Sequence, residues 1–237
     1  MPGYGCVAPS GTQTDSCIEE FFMVDPTQAL TWLVEGNQRF MADAVGDHNR
    51  FSAARRGELL GGQAPFAAVL SCADSRVPSE LVFDQGLGDL FVVRVAGNIA
   101  APSQMGSLEF AAEKLGVRLV VVLGHTCCGA IDATVEALRD PTPAPTEGLR
   151  KILERVRPAV EPLFAQSLDQ QELAAQAVRA NVRMAAQMLR EESPILARLR
   201  AEQGLAVVGA EYDLHSGAVC FFDGVTDAGE LPPPDQR

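Results

Sequence analysis

The chain has 237 residues and a net charge of −12, with 31 acidic against 19 basic side chains. This length suits one compact domain, and an apolar fraction of 47% is enough to bury a core, which excludes a globally disordered chain. The acidic balance, without any basic tract, excludes nonspecific binding to nucleic acid or to anionic membranes. The longest apolar runs, residues 66–70 and 119–123, are far shorter than the roughly 20 residues of a membrane-spanning helix.

The first part of the chain precedes any predicted strand. Residues 1–22 are rich in Gly, Pro, Ser and Thr, lack the basic and apolar regions of a secretory signal, and are expected to form a flexible extension. Asp25 and Pro26 then suit the N-cap and first position of a helix, which continues with apolar residues at helical spacing. We expect this helix to pack on the domain or on a partner subunit.

Four continuous apolar runs of strand length follow, at residues 66–72, 90–95, 117–123 and 204–210. Runs that do not alternate with polar residues are typical of strands buried on both faces of a parallel sheet. Helical patterns separate them, at residues 105–115, 131–138, 149–163 and 171–189.

A fifth run, residues 219–222, follows a Ser216-Gly217 turn and is expected to pair antiparallel at a sheet edge. The sequence therefore predicts a single α/β domain over residues 23–230 and a frayed tail over residues 231–237. Its sheet is mainly parallel and four-stranded, with an antiparallel edge strand, and helices flank it.

Functional groups of such sheets gather at the carboxyl ends of the strands. Cys72 and Asp74 follow the first strand, and side chains two apart on an extended segment point into the same cavity. His125 and Cys128 follow the third strand, three residues apart at the start of a helix, so they share one helical face. Cys72, His125 and Cys128 are therefore predicted to meet at one edge of the sheet.

Two thiolates and one imidazole form a tetrahedral zinc set with one position left over, which is the catalytic rather than the structural pattern. Zinc lowers the pKa of a bound water from about 16 to about 7. Asp74 is a candidate to orient the resulting hydroxide or to become a fourth ligand, and Arg76 to hold the Asp74 carboxylate by a bidentate pair.

These motifs resemble the β-class carbonic anhydrases, and the resemblance extends from about Asp25 to Phe222. It is carried by the Cys72-Ala-Asp74-Ser-Arg76 and His125-Thr-Cys-Cys128-Gly129 segments. It also includes residues 62–65, 83–86, 93–98 and 209–213. The resemblance implies a reversible hydration of carbon dioxide to bicarbonate and a proton, by attack of zinc-bound hydroxide. It implies Zn²⁺ on Cys72, His125 and Cys128, beside an Asp74–Arg76 dyad.

The resemblance also implies substrate contacts and an assembly. Gln63, nine residues before Cys72, matches a family glutamine that hydrogen-bonds substrate. Phe91 resembles the aromatic residue that lines the pocket, often that of the neighbouring subunit, and the Gly129 N–H resembles a further substrate contact. The family implies a homodimer, frequently a homotetramer, with the N-terminal helix wrapped over its mate.

One departure from part of the family concerns regulation. Some members have an inhibitory bicarbonate site that uses a Trp three residues before the first zinc cysteine. Val69 occupies that position here, and the only Trp of the chain is Trp32. The sequence therefore resembles the subtype without the inhibitory site.

Other functions compete with this interpretation. A hydrolase of carbonyl sulfide or carbon disulfide would use the same zinc ligands, so the motifs do not separate it. A non-catalytic, zinc-stabilised bicarbonate sensor would predict a damaged dyad, whereas Asp74 and Arg76 are both present. Redox chemistry of Cys127 and Cys128 is disfavoured because adjacent cysteines bridge only with strain.

Six cysteines are too few for a disulfide scaffold, so a reducing cytoplasm is the expected compartment.

Overall fold

A five-stranded sheet organises the part of the chain described by the computed structural model, residues 23–46, 48–140 and 146–233. The strands are β1 (Ala67–Ser71), β2 (Leu90–Arg94), β3 (Leu119–His125), β4 (Ala206–Tyr212) and β5 (Val219–Asp223). Their order in the sheet is β2-β1-β3-β4-β5, and only β5 is antiparallel to its neighbour. The predicted mainly parallel sheet with an antiparallel edge strand is confirmed.

The strands β1, β3 and β4 are apolar except near their carboxyl ends, which carry Ser71, His125 and Glu211, and every residue of these strands is buried because helices cover both faces of the sheet. Successive side chains point to opposite faces, so Val69 and Val121 join one core cluster with Leu33. Leu70 and Leu189 belong to the cluster on the other face. This double burial fixes the register of the strands whose ends carry the candidate site.

Eight α-helices lie within the described ranges: α1 (Pro26–Met41), α2 (Ala53–Glu58), α3 (Ser79–Val82), α4 (Pro102–Lys114), α5 (Gly129–Arg139), α6 (Glu147–Val160), α7 (Gln170–Glu191) and α8 (Pro194–Gln203). Short 3₁₀ turns occupy His48–Phe51, Leu59–Gly61, Ala96–Asn98 and Glu161–Ala165. The helices α2, α3 and α8 are not predicted from the sequence, because they are too short or too weakly amphipathic to show a clear period. None of the helices in the described ranges is both long and apolar enough to cross a membrane.

The N-terminal helix α1 packs on the sheet of its own chain. Asp25 caps it by accepting a hydrogen bond of 2.8 Å from the Thr27 N–H. Asn37 is buried and donates to the carbonyls of Val82 (3.1 Å) and Gly217 (2.8 Å). The expected packing of this helix on the domain is therefore observed, and any contact with a partner subunit would come in addition to it.

The segments predicted at the two ends of the chain are described only in part. The expected extension over residues 1–22 lies outside the described residues, as do residues 234–237 of the expected tail. Leu231, which the sequence assigns to that tail, is 9% exposed and packs in the core layer that holds α1.

The contact between α7 and β3 depends on a glycine. A Cβ at Gly124 would lie 2.5 Å from Cγ2 of Val182, which is too close for any side chain. The missing side chain lets α7 approach the carboxyl half of β3, immediately before His125.

Candidate metal centre

Cys72, His125 and Cys128 meet at the carboxyl edge of the sheet. Cys72 directly follows β1, His125 ends β3, and Cys128 caps the N-terminus of α5. Because β1 and β3 are paired neighbours, their ends lie side by side. The potential ligand atoms of the three residues lie within 4.8 Å of one another, and the two sulfurs are 3.9 Å apart. All three side chains are buried.

The orientation of His125 fits a metal ligand. Its Nδ1 lies 2.9 Å from the Thr126 carbonyl, which can only accept, so Nδ1 carries the proton and donates. Nε2 therefore carries the free electron pair, and this nitrogen is buried without a hydrogen-bond partner. An unpaired buried nitrogen is costly unless something absent from the polypeptide satisfies it. Histidines that bind metals show this arrangement, with the second nitrogen held by a carbonyl or carboxylate.

The protonation of the two cysteine sulfurs favours a bound cation. The hydrogen bond from Cys128 lowers the pKa of Cys72 to about 4, and the same contact raises the pKa of Cys128. Burial by itself would lower the pKa of His125, but the nearby Cys72 thiolate outweighs it and raises the pKa. Without a cation, Cys128 therefore keeps its proton and shares it with the Cys72 thiolate; both sulfurs could be thiolates at 3.9 Å only with a cation between them. Two thiolates and an imidazole are a donor set that suits Zn²⁺.

A carboxylate borders this group but is held by an arginine. Arg76 donates from Nε to Oδ1 of Asp74 at 2.9 Å and from Nη2 to Oδ2 at 2.7 Å, a bidentate pair. Its guanidinium holds the pKa of Asp74 well below the usual range. Oδ2 of Asp74 lies 3.9 Å from Nε2 of His125. Arg76 also donates to the Cys127 carbonyl at 3.2 Å, which ties the loop after β1 to the loop after β3.

Two further residues support the centre and have no assigned role in the sequence analysis. Arg94, at the end of β2, donates to the carbonyl of Cys72 at 3.0 Å and also to that of Asp74. The Gly97 N–H donates to the sulfur of Cys72 at 3.4 Å. The Gly97-Asn98 pair is a recognisable turn signal, and both residues have positive φ (71° and 42°). That signal could locate the turn but not its contact with Cys72.

The predicted substrate contacts divide into two places. Gly129 is the first residue of α5, beside Cys128, and the space next to its Cα is open. Gln63 is exposed and precedes β1, at the opposite end of the sheet from the sulfurs. Phe91 pairs with Ala68, four residues before Cys72, which is on the order of 13 Å away at about 3.3 Å per residue. One chain therefore assembles the metal ligands, the dyad and Gly129, but not Gln63 and Phe91.

Comparison with known proteins gives the family. The family model for carbonic anhydrase matches residues 67–219. Carbonic anhydrase 2 of Mycobacterium tuberculosis is 38% identical over 206 residues, covering 87% of this chain and 97% of that protein. A carbonic anhydrase of Mycolicibacterium smegmatis is 39% identical over 208 residues, covering 87% and 98%.

Solved structures give the class. The β-carbonic anhydrase of Coccomyxa, in complex with acetazolamide, superposes with a TM-score of 0.63 at 26% identity, covering 87% of this chain and 94% of that one. A tetrameric β-carbonic anhydrase of Sordaria macrospora gives a TM-score of 0.63 at 25% identity, covering 82% and 97%. The chain therefore belongs to the β class of the carbonic anhydrase family.

The chain is an enzyme of that family, and its reaction is the reversible hydration of carbon dioxide, a small-molecule substrate. The family and activity predicted from the two motifs are confirmed.

Proposed function

We propose that the enzyme works with one Zn²⁺ per chain, held by Cys72, His125 and Cys128. The observation that carries this proposal is the buried, unpartnered Nε2 of His125 beside two sulfurs 3.9 Å apart. When bound, zinc supplies a Lewis acid that generates a nucleophile from water near neutral pH. The remaining chemistry belongs to side chains and backbone groups of this protein.

Asp74 and Arg76 act as a catalytic carboxylate and its positioning partner. The bidentate Arg76 pair keeps Asp74 ionised and engages both of its oxygens. An ionised carboxylate can only accept hydrogen bonds, so Asp74 accepts a hydrogen bond from the attacking water and directs the water's lone pair toward carbon, while Asp74 itself stays ionised. Without Arg76 the carboxylate would be free to move onto the metal, because Oδ2 is already 3.9 Å from Nε2 of His125.

Gly129 contributes through its backbone. As the first residue of α5, it has an N–H without an intrahelical partner, and the helix dipole gives that position a partial positive charge. The open space beside Gly129 admits a substrate oxygen, which receives this hydrogen bond as negative charge grows on it.

Gln63 and Phe91 serve the site of a partner subunit, since they lie at the far end of β1 and β2 from the sulfurs of their own chain. Within the described ranges, no strand pairs with the outer edge of β2. Large apolar side chains are exposed around it: Trp32 at 38%, Phe110 at 50% and Leu60 at 89%. The ring of Trp32 contacts that of Phe66 at 5.1 Å, and the ring of Phe110 contacts that of Phe91 at 6.4 Å.

We call Trp32, Leu60, Phe66, Phe91 and Phe110 the edge surface. An apolar area of this kind on an open sheet edge is typical of a protein–protein interface. The homodimer formed through it is the minimal active unit, with α1 packing on the partner, and the tetrameric relative in Sordaria macrospora supports a further pairing of dimers.

Two finer proposals concern regulation and location. Val69 is fully buried in the middle of β1, and this strand contains no tryptophan, which supports the subtype without an inhibitory bicarbonate site. The described cysteines are all free thiols, which supports a reducing compartment, the cytoplasm.

Subunit complementation tests the zinc ligands and the shared site together. Cys72→Ser and Gln63→Ala chains are unfolded and refolded as a mixture, and zinc content and carbon dioxide hydration are measured. In a mixed dimer one site is complete, because the Gln63→Ala chain keeps its zinc ligands and receives Gln63 from its mate. Random pairing then gives about a quarter of the unsubstituted activity per chain, from about half of the dimers.

The outcomes separate the claims. A mixture no more active than the two separate variants contradicts a Gln63 that acts across the interface. Full zinc content in the Cys72→Ser chain contradicts the ligand set. Sulfide release from carbonyl sulfide, faster than carbon dioxide hydration, would favour the hydrolase alternative.

A further inference from the structure

A buried asparagine on α7 binds the turn that contacts one of the proposed metal ligands. Asn181 is fully buried, and it precedes Val182, the residue that fills the space left by Gly124. The close approach of α7 to β3 therefore places Asn181 against the turn at Ala96–Asn98. Its Nδ2 donates to the carbonyl of Gly97 at 2.8 Å, across 84 residues of sequence.

The same glycine contacts a metal ligand. The Gly97 N–H donates to the sulfur of Cys72 at 3.4 Å, so the two peptide groups that flank Gly97 are bound on opposite sides. On the N-terminal side the chain is anchored to the first strand, because the Val95 N–H donates to Ser71 at 3.1 Å. On the C-terminal side Asn181 supplies the side-chain anchor.

Glycine needs such an anchor more than other residues. Gly97 has φ of 71°, and a glycine passes between positive and negative φ at little cost. A rotation there would turn the N–H away from the Cys72 sulfur without breaking any strand pairing. The hydrogen bond from Asn181 to the Gly97 carbonyl opposes this rotation.

We propose that Asn181 is a positioning residue of the metal centre: through Gly97 it aims a backbone N–H at the Cys72 sulfur and so limits how much charge that sulfur donates to the metal. The inference rests on the proposed ligation by Cys72. Two thiolates donate much charge to a zinc ion, which weakens it as a Lewis acid. A hydrogen bond to one sulfur withdraws part of that charge and restores the acidity.

The test replaces zinc by Co²⁺ in the whole enzyme and records the thiolate-to-cobalt charge-transfer absorption. Asn181→Leu keeps the volume but removes the donor. Loss of the N–H···S bond raises the energy of the sulfur electrons, so the band moves to longer wavelength. Zinc affinity, measured by chelator competition, falls by about 10-fold, because Cys72 loses the hydrogen bond that favours its thiolate over its thiol and holds it in place; this is the lower end of effects from residues behind a metal ligand.

Asn37→Leu is the matched control. Asn37 is also buried, at 3% exposed, and binds Val82, Gly217 and the Val219 N–H; Val219 lies on β5, which β4 separates from the strand that ends at His125. Its loss destabilises the fold at least as much, yet it leaves the band and the zinc affinity unchanged. If Asn181→Leu does not fold, Asn181→Ala is expected to move the band in the same direction.

The outcomes distinguish this inference from the function on which it rests. A band that stays in place in a folded Asn181 variant, or that moves equally in Asn37→Leu, overturns the positioning role. A charge-transfer band missing from the unsubstituted cobalt enzyme overturns the proposed ligation instead.

Discussion

The two ends of β1 differ in how much of the active site they complete. At the carboxyl end, Cys72 joins His125 and Cys128 in a buried group whose backbone and side chains are held by Arg76, Arg94 and Gly97. At the amino end, Gln63 is exposed and Phe91 lies on the edge strand β2. The chemistry is therefore encoded in one chain, whereas the proposed substrate contacts depend on assembly. Substitutions at the two ends should fail in different ways.

The largest effect is expected at the carboxyl end. Cys72→Ser exchanges a soft thiolate for a hydroxyl that stays protonated, so zinc is lost with it. Hydration of carbon dioxide should fall to the uncatalysed rate, a loss on the order of 10⁶-fold, the lower end of typical enzymatic accelerations. Metal analysis and stopped-flow hydration measure both changes.

Cys127→Ser is the control, because this neighbouring thiol is exposed and is not one of the grouped ligands. An equal loss in the control would contradict the assignment.

A charge introduced on the edge surface should weaken the proposed dimer, on which the substrate contacts at the amino end of β1 depend. Phe110→Glu places a carboxylate beside Phe91, where a partner would bury it unpaired. The dimer dissociation constant should rise by about 10²–10³-fold, equivalent to about 3–4 kcal/mol. Analytical ultracentrifugation measures the dissociation, and activity should fall on dilution while each chain keeps its zinc.

Phe164→Glu is the matched control for this change, because Phe164 is similarly exposed (39% against 50%) but lies in the turn Glu161–Ala165. A Phe110→Glu chain that is monomeric and still fully active would show that the site is complete without a partner.

A smaller loss of turnover is expected when the Asp74–Arg76 dyad is disrupted. Arg76→Ala releases Asp74, and turnover should fall by about 10–100-fold with zinc still bound. Arg76→Lys should recover only part of this, because an ammonium cannot form the bidentate pair. Arg150→Ala removes a comparably exposed arginine, paired with Glu147 and Glu154, and should leave turnover unchanged. Unchanged turnover in Arg76→Ala would mean that Asp74 does not need its partner.

The sequence predicts the carboxyl end better than the amino end, for physical reasons. Continuous apolar runs predict parallel strands, and the ends of parallel strands coincide. The shared helical face predicted for His125 and Cys128 is wrong: His125 ends β3 and α5 begins only at Gly129, so the two side chains meet across the turn that joins β3 to α5. The contacts of Arg94 and Asn181 with the centre follow no period, because they depend on how separate elements pack. The place of Phe91 in a pocket depends on a second chain, so even a complete account of one subunit leaves it open.

The smallest effect concerns the anchoring of α1 near the edge surface and changes stability, not turnover. Burial alone would raise the pKa of Asp84, but hydrogen bonds from Arg39 and the Gly46 N–H lower it overall. A carboxyl group whose folded pKa is lowered stabilises the protein above its ordinary pKa of about 3.9, and this is lost as pH falls through the folded value.

Asp84→Asn should therefore lower the free energy of unfolding by about 1–3 kcal/mol at pH 7, since it removes a charged acceptor of buried hydrogen bonds. The difference from the unsubstituted protein should shrink below about pH 4, where the carboxyl group of the unfolded chain takes up its proton. Urea unfolding at several pH values measures this. A difference that stays constant with pH would mean that Asp84 acts through shape and not through charge, and a parallel loss of activity would mean that α1 and the loop beside it bear on the shared site directly.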